Sequence, residues 1–304
     1  MKNLLIILCL LASLRLAAQN VNYSIIENDI NKINNVTLEF TPVSIEAWTG
    51  STNESWFGYR AKFSYRLGSF GSVSYTYRPQ FNVGSSDISG NRPDQFDFSE
   101  ITLTKGLGNK TVTGKVKVNL KSSSSGKTTT TTYIMADADY FKVSELRFGL
   151  LNYNSHLEYK FADESELYTL SVTSSVFSFG IQKGDINRLK IDSDYGRKKN
   201  MQSLTYYFDF LYAPRLAVNE NNLSDIANLT GSELQYTKSR FGFRYGLQWT
   251  RLTNVGFSTG IELGWRPVIR PTENSAWNRF YLGLNWSFPV VSFRTPTPKA
   301  FAFN

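Results

Sequence analysis

The sequence predicts an all-β protein: a closed antiparallel transmembrane β-barrel of about twelve strands, preceded by a cleaved leader. Three observations predict it. Apolar and polar residues alternate with period two in repeated segments of roughly the ten residues that a tilted membrane strand needs. The apolar faces of these segments are largely aromatic. No second long apolar run follows the N-terminus, so spanning helices are excluded.

The composition agrees with this. The 304 residues are 41% hydrophobic and 15% aromatic, and Phe (22) and Tyr (17) far outnumber Met (3). Aromatic side chains suit a pleated surface better than a helix. The mean hydropathy of −0.29 looks like that of a water-soluble chain. A membrane barrel gives the same value, because only every second residue faces lipid.

Residues 1–18 read as an export leader. Met1-Lys2-Asn3 is a basic start, Leu4 to Leu14 an apolar stretch, and Leu16-Ala17-Ala18 a small-residue cleavage site. The only cysteine, Cys9, falls inside it, so the mature chain, 19–304, carries no disulfide, thiolate metal site or cysteine nucleophile. Net charge is +8, or +6 once Lys2 and Arg15 leave with the leader. No basic cluster with interleaved aromatics accompanies that charge, so nucleic acid is not an expected partner.

The strands come in order along the chain. In Trp56–Leu67, Phe57, Tyr59, Ala61, Phe63 and Tyr65 oppose Gly58, Arg60, Lys62, Ser64 and Arg66. After a Gly68-Ser69 turn, Val73, Tyr75, Tyr77 and Phe81 alternate with Ser72, Ser74, Thr76 and Arg78, which makes a hairpin. Val112, Val116, Val118 and Leu120 alternate with Lys115, Lys117 and Asn119. Later segments repeat the pattern at 204–212, 241–249, 255–265 and 280–288. Weaker cases are 36–48, 97–107, 130–141, 143–152, 156–162 and 167–181.

A soluble β-sandwich also alternates, but its strands average about five or six residues. Many here run to about twelve, with Trp or Tyr near their ends (Trp56, Tyr77, Trp249, Trp265, Trp277) as in interfacial girdles. Short turns at 68–69, 108–110 and 252–254 contrast with longer polar loops at 83–96, 122–129, 215–235 and 269–276. Both termini on one side require an even number of strands. Reading 143–162 as one strand gives about twelve, and splitting 184–199 gives about fourteen.

At the last predicted strand, Tyr281-Leu282-Gly283-Leu284-Asn285-Trp286-Ser287-Phe288 resembles the assembly signal of bacterial outer-membrane β-barrel proteins, with Gly283, Trp286 and Phe288 in its defining positions. The resemblance implies location in the bacterial outer membrane, contact with its lipid, and folding by the barrel assembly machinery. The family form ends at the signal. Here a tail of about 291–304, with Pro296 and Pro298, is expected to hang in the periplasm.

Within a barrel, strand parity places charges in the lumen: Arg60, Lys62, Arg66, Arg78, Lys115, Lys117, Arg147, Lys160, Arg244, Arg266 and Arg279 against Glu100, Asp137, Asp139, Glu145, Glu158, Asp209 and Glu262. Basic residues are in excess, and rings of Arg and Lys favour anions. Two functions follow. One is a porin-like channel for small anionic solutes. The other is a non-conducting barrel whose charges pair, serving as a structural or partner-binding part of a secretion or surface-assembly complex.

A third reading, a lumen- or rim-active barrel enzyme using His156, is the least favoured. His156 is the only histidine, Ser155 beside it alternates to the other face, and position 158 is Glu where barrel lipid-A deacylases place a Ser. Gly126-Lys127-Thr128 lacks the earlier glycine of a phosphate loop. Asp137 and Asp139 do not supply the six or more oxygens of a calcium site. No cofactor or metal is implied.

Overall fold

The computed structural model describes residues 21–29, 34–48, 54–82, 95–125, 128–160, 167–218, 236–251, 257–271 and 280–295. Strands are its regular elements among these residues: β1 (Tyr23–Glu27), β2 (Val36–Trp48), β3 (Glu54–Arg66), β4 (Gly71–Asn82), β5 (Gln95–Gly106), β6 (Lys110–Ser125) and β7 (Thr128–Lys160). These are followed by β8 (Leu167–Ser193), β9 (Lys198–Val218), β10 (Tyr236–Ser239), β11 (Phe241–Arg251), β12 (Phe257–Trp265), β13 (Val268–Pro271) and β14 (Phe280–Phe293). The expected leader, residues 1–18, lies outside the described residues.

Ten strands close an antiparallel barrel in the order β2, β3, β4, β5, β7, β8, β9, β11, β12, β14 and back to β2. β1 and β6 belong to the same sheet but lie outside the ring, and β10 pairs with β13 apart from it. The count of about twelve is therefore corrected: twelve strands make the sheet, ten of them the barrel. Alternation does not distinguish a barrel strand from an edge hairpin. The segments read separately at 130–141, 143–152 and 156–162 fall, as far as Lys160, in one strand, β7, with 161–162 outside the described residues, and 184–193 continues β8.

The turns at 67–70, 107–109 and 194–197, β1 and the end of β14 all sit at one end, the short-turn end. Connections at the opposite end fall within 49–53, 83–94, 161–166, 219–235 and 272–279, outside the described residues. Three prolines sit inside strands at irregularities, Pro214 in β9 where the ladder with β8 slips between Ser175 and Phe177, and two on β2 and β14. The ladder slips around Pro42 in β2, between Thr41 and Ser44, and around Pro289 in β14. A bulge accommodates a residue with no N–H to donate. Because of the slip at Pro289, Val290–Phe293 extend the strand that the sequence pattern ends at Phe288, and the expected tail starts later. Residues 296–304 lie outside the described residues.

Barrel faces follow the alternation. Outward are Phe57, Phe63, Tyr75, Ile101, Leu103, Phe177, Phe179, Phe208, Phe210, Phe241 and Tyr245, all exposed. Neighbouring rings touch across strands, Phe148 with Phe179 and Tyr212 with Phe241, both pairs at 5.3 Å between centroids. Inward are glycines, hydroxyls and charges.

Of the polar loop expected at 122–129, residues 122–125 and 128–129 are paired strand, the ends of β6 and β7, and 126–127 lie outside the described residues. Thr is β-branched, and Ser and Thr facing each other across strands share hydroxyl hydrogen bonds, as Ser122 and Thr131 do at 3.1 Å. β6 pairs only with the first half of β7, through Lys110↔Lys142. This hairpin leaves the ring at the short-turn end. Where β7 parts from β8, below Tyr140↔Asn187, β1 takes its place on β8 with Ile25↔Ile191. Glu27 of β1 pairs with Arg188 at 2.9 Å and with Lys190.

The apolar face of the hairpin (Val116, Val118, Leu120, Ala136, Ala138) packs on Leu189 and Ile191 of β8, each at most 2% exposed. Fully burying a Val, Leu or Ile contributes roughly 1.5–3 kcal/mol, which offsets the cost of ordering strands outside the ring. Tyr140 closes this core and donates its hydroxyl hydrogen to the Lys115 carbonyl at 2.8 Å. Burial there pushes its phenol above the ordinary value, and the nearby Asp185 adds to the shift.

Val118→Asp places an unpaired carboxylate in this core. The expected result is protease cleavage within 110–142 while the barrel keeps its heat-modifiable gel mobility. Loss of that mobility would show that the hairpin is part of the barrel's own stability.

Candidate functional site in the barrel lumen

Large inward side chains cross the lumen, and the ladder makes room for them with glycine. Asp209 sits opposite Gly180, Tyr207 and Glu262 opposite Gly246, and Arg244 opposite Gly264. At Gly246 a Cβ would meet the Tyr207 ring at 2.2 Å, and at Gly180 it would meet Asp209 Oδ1 at 2.3 Å. These glycines, which sequence alternation marks only as small polar-face residues, are the sockets of the network.

Arg244, 2% exposed, is its centre. Its Nε donates to Asp209 Oδ2 at 2.8 Å. Its Nη1 donates to Glu100 Oε2 at 3.0 Å, and Nη2 reaches Glu100 Oε1, a bidentate contact from β11 to β5 across the barrel. Arg147 donates from Nε to Asp209 Oδ1 at 3.0 Å and from Nη1 to Gln182 Oε1 at 2.8 Å, with its guanidinium 4.1 Å above the Tyr207 ring. Glu262 accepts from the Tyr207 hydroxyl, and from Tyr281 at 2.9 Å.

A second cluster adjoins it. Arg266 grips Glu46 with two hydrogen bonds, 2.6 and 2.7 Å, and lies 4.0 Å from the Tyr281 ring. Arg78 brings Nη2 within 3.1 Å of Glu46 Oε2, a close charge contact without an aligned hydrogen bond. Arg78 also lies 4.7 Å from the Phe98 ring. The Tyr153 hydroxyl donates to the Pro267 carbonyl near the opposite end. A buried ion pair stabilises only when its donors and acceptors are met on both sides. Arg244 and Arg266 meet that condition.

Neither a protein-family model nor a curated protein sequence matches the chain. Its function therefore rests on this geometry.

Between the network and the short-turn end lies a polar chamber of about 230 Å³. Phe98, Glu100 and Glu262 lie on the network side, and Asn35, Arg66 and Ser72 toward the mouth. Arg66 reaches Glu145 across the mouth at 2.8 Å. Arg60 and Lys62 line the chamber, as does Glu39, which is 8% exposed.

Of the residues that parity placed in the lumen, Arg60, Lys62, Arg66, Arg78, Arg147, Arg244, Arg266, Glu100, Glu145, Asp209 and Glu262 are brought together there. Lys115 and Lys117 are not. They lie on β6 outside the ring, exposed, with Lys115 paired to Asp137 at 2.8 Å and Lys117 over the Tyr133 ring at 4.0 Å. The Asp137 hydrogen bond and charge raise the Lys115 ammonium above its ordinary value. Asp139 accepts from Thr113 on the same hairpin. Arg279 lies outside the described residues, as do the side chains of His156, Glu158 and Lys160 on β7. Gly283 faces inward and Phe288 outward on β14, with Trp286 half-buried between them.

Sequence reasoning missed Glu39 and Glu46. Inward parity on β2 changes from odd at Glu39 and Thr41 to even at Ser44 and Glu46, across the slip at Pro42. The signal for it was Pro42 itself, inside an otherwise alternating segment. With these carboxylates counted and the hairpin residues removed, lumen charges nearly balance among the described residues.

Arg244→Ala leaves Glu100 and Asp209 buried without their main partner, and a loss of about 3–5 kcal/mol is expected, read as a lower urea midpoint of the folded gel band. Gly246→Ala should also lower it, by displacing Tyr207. An unchanged midpoint in both variants would contradict the network.

Proposed function

We propose that this is a bacterial outer-membrane β-barrel that does not conduct and serves as a membrane-anchored, partner-binding barrel. The carrying observation is the layer of Arg244, Glu100, Asp209, Arg147, Tyr207 and Glu262, joined to Arg266, Glu46 and Arg78 across the lumen. A conducting lumen needs a continuous aqueous path. This layer sets mutually bonded side chains across the lumen, with Arg244, Glu100 and Asp209 buried and Arg147, Tyr207 and Glu262 partly buried, and that supports a closed lumen. The outward aromatic surface supports lipid contact. The leader at 1–18 and the signal at Gly283, Trp286 and Phe288 fit export and insertion by the barrel assembly machinery.

The alternative of a porin-like, anion-favouring channel draws on the basic residues of the lumen. It is the weaker reading, because Arg66, Arg78, Arg147, Arg244 and Arg266 each have a carboxylate partner. We place the short-turn end, which carries β1 and the end of β14, on the periplasmic side, and the hairpin of β6 and β7 leaving the ring there is the surface proposed for a partner protein.

Planar-bilayer recording of the refolded protein tests this reading. Wild type is expected to be silent, and Arg244→Ala combined with Glu100→Ala and Arg147→Ala to admit ions. Steady anion-selective conductance in wild type would restore the porin reading.

A further inference from the structure

Three charged groups in the chamber are not consumed by the network. Arg60 donates from Nε to Thr41 at 3.3 Å and from Nη2 to Ser287 at 2.8 Å, with no hydrogen bond from Nη1 among the described residues. Among the described residues Lys62 makes one hydrogen bond, to Gln248 Oε1 across the lumen at 3.3 Å. Among the described residues neither has a carboxylate within ion-pair distance. Glu39 sits in register with Lys62 on the neighbouring strand, yet its buried Oε2 has no hydrogen-bond partner.

Leaving such groups unmet inside a protein is costly. All three point into the same chamber. The arrangement offers two cations with spare donors and one carboxylate with a spare acceptor, inside walls of Ser, Thr, Asn and Gln such as Ser74, Thr76 and Asn285. The cations together outweigh the carboxylate by a single charge. That calls for a ligand with one anionic group for Arg60 and Lys62 and hydroxyl groups to donate to Glu39. The volume, about 230 Å³, is below the roughly 300–1,000 Å³ of drug-sized pockets, so the ligand is small.

We infer that the chamber binds a small polyhydroxylated organic anion, admitted from the short-turn end and held by Arg60, Lys62 and Glu39. The inference rests on the closed-lumen reading only for its direction of entry.

Calorimetric titration of the refolded barrel with gluconate tests it, against inorganic phosphate and glucose at constant ionic strength. Gluconate is expected to bind, and glucose not. Arg60→Met with Lys62→Met is expected to weaken gluconate by about tenfold to a hundredfold, as loss of charge-assisted hydrogen bonds does. Lys62→Met alone serves if the pair fails to fold. Glu39→Gln should strengthen phosphate, because it removes the one opposing charge. Binding unchanged in the cation variants, or phosphate weakened by Glu39→Gln, would overturn the assignment. Conductance of the same preparation separates the two readings. Binding in a silent barrel upholds both, and binding in a conducting barrel upholds the site alone. A folded, silent barrel that binds neither anion overturns the site.

Discussion

Arg244 carries a charge into the middle of the barrel, far from bulk water, and the surrounding lumen is arranged around meeting it. Two carboxylates from opposite walls, Asp209 beside it and Glu100 across from it, take up its donors. Glu100 is thereby tied to β11, and Asp209 to Arg147 on β7. Tyr207 lies against both guanidiniums and reaches Glu262, which touches the Arg266 cluster. Charges at these depths are tolerable only as a complete set, because each one removed leaves another unmet. The glycines opposite Tyr207, Asp209 and Arg244 follow from the same requirement, since long side chains must lie flat over the neighbouring strand.

Matching is local to Arg244 and Arg266. Elsewhere in the described lumen it is incomplete: Arg78 and Gln80 on β4 keep buried donors or acceptors without a hydrogen-bond partner, and toward the short-turn end the chamber keeps Arg60, Lys62 and Glu39 only partly engaged. Below it, the β6–β7 hairpin is held by apolar packing on β8, a separate interaction, so barrel and extension are distinct in what stabilises them.

Much of this was legible in the sequence. Period-two alternation identified the barrel and most of its inward charges, because every side chain on a regular strand has its face fixed by parity. It failed where parity slips. Pro42 reverses the inward face of β2 and hid Glu39 and Glu46, without which the lumen reads as basic. It also failed at Lys115 and Lys117, whose strand alternates like the others but packs its apolar face on β8 outside the ring. Pairings between distant strands, such as Arg244 with Glu100, depend on barrel closure and leave no local pattern.

On the proposed function the Arg244 layer closes the lumen above the chamber. Cys9 is the only cysteine of the chain and falls within the expected leader, so an introduced thiol is a clean reporter. Ser74 lines the chamber. The most direct measurement is labelling of Ser74→Cys by a membrane-impermeant thiol reagent, applied to each side of an oriented, reconstituted barrel. Labelling from the short-turn side alone is predicted. Labelling at comparable rates from both sides would contradict closure.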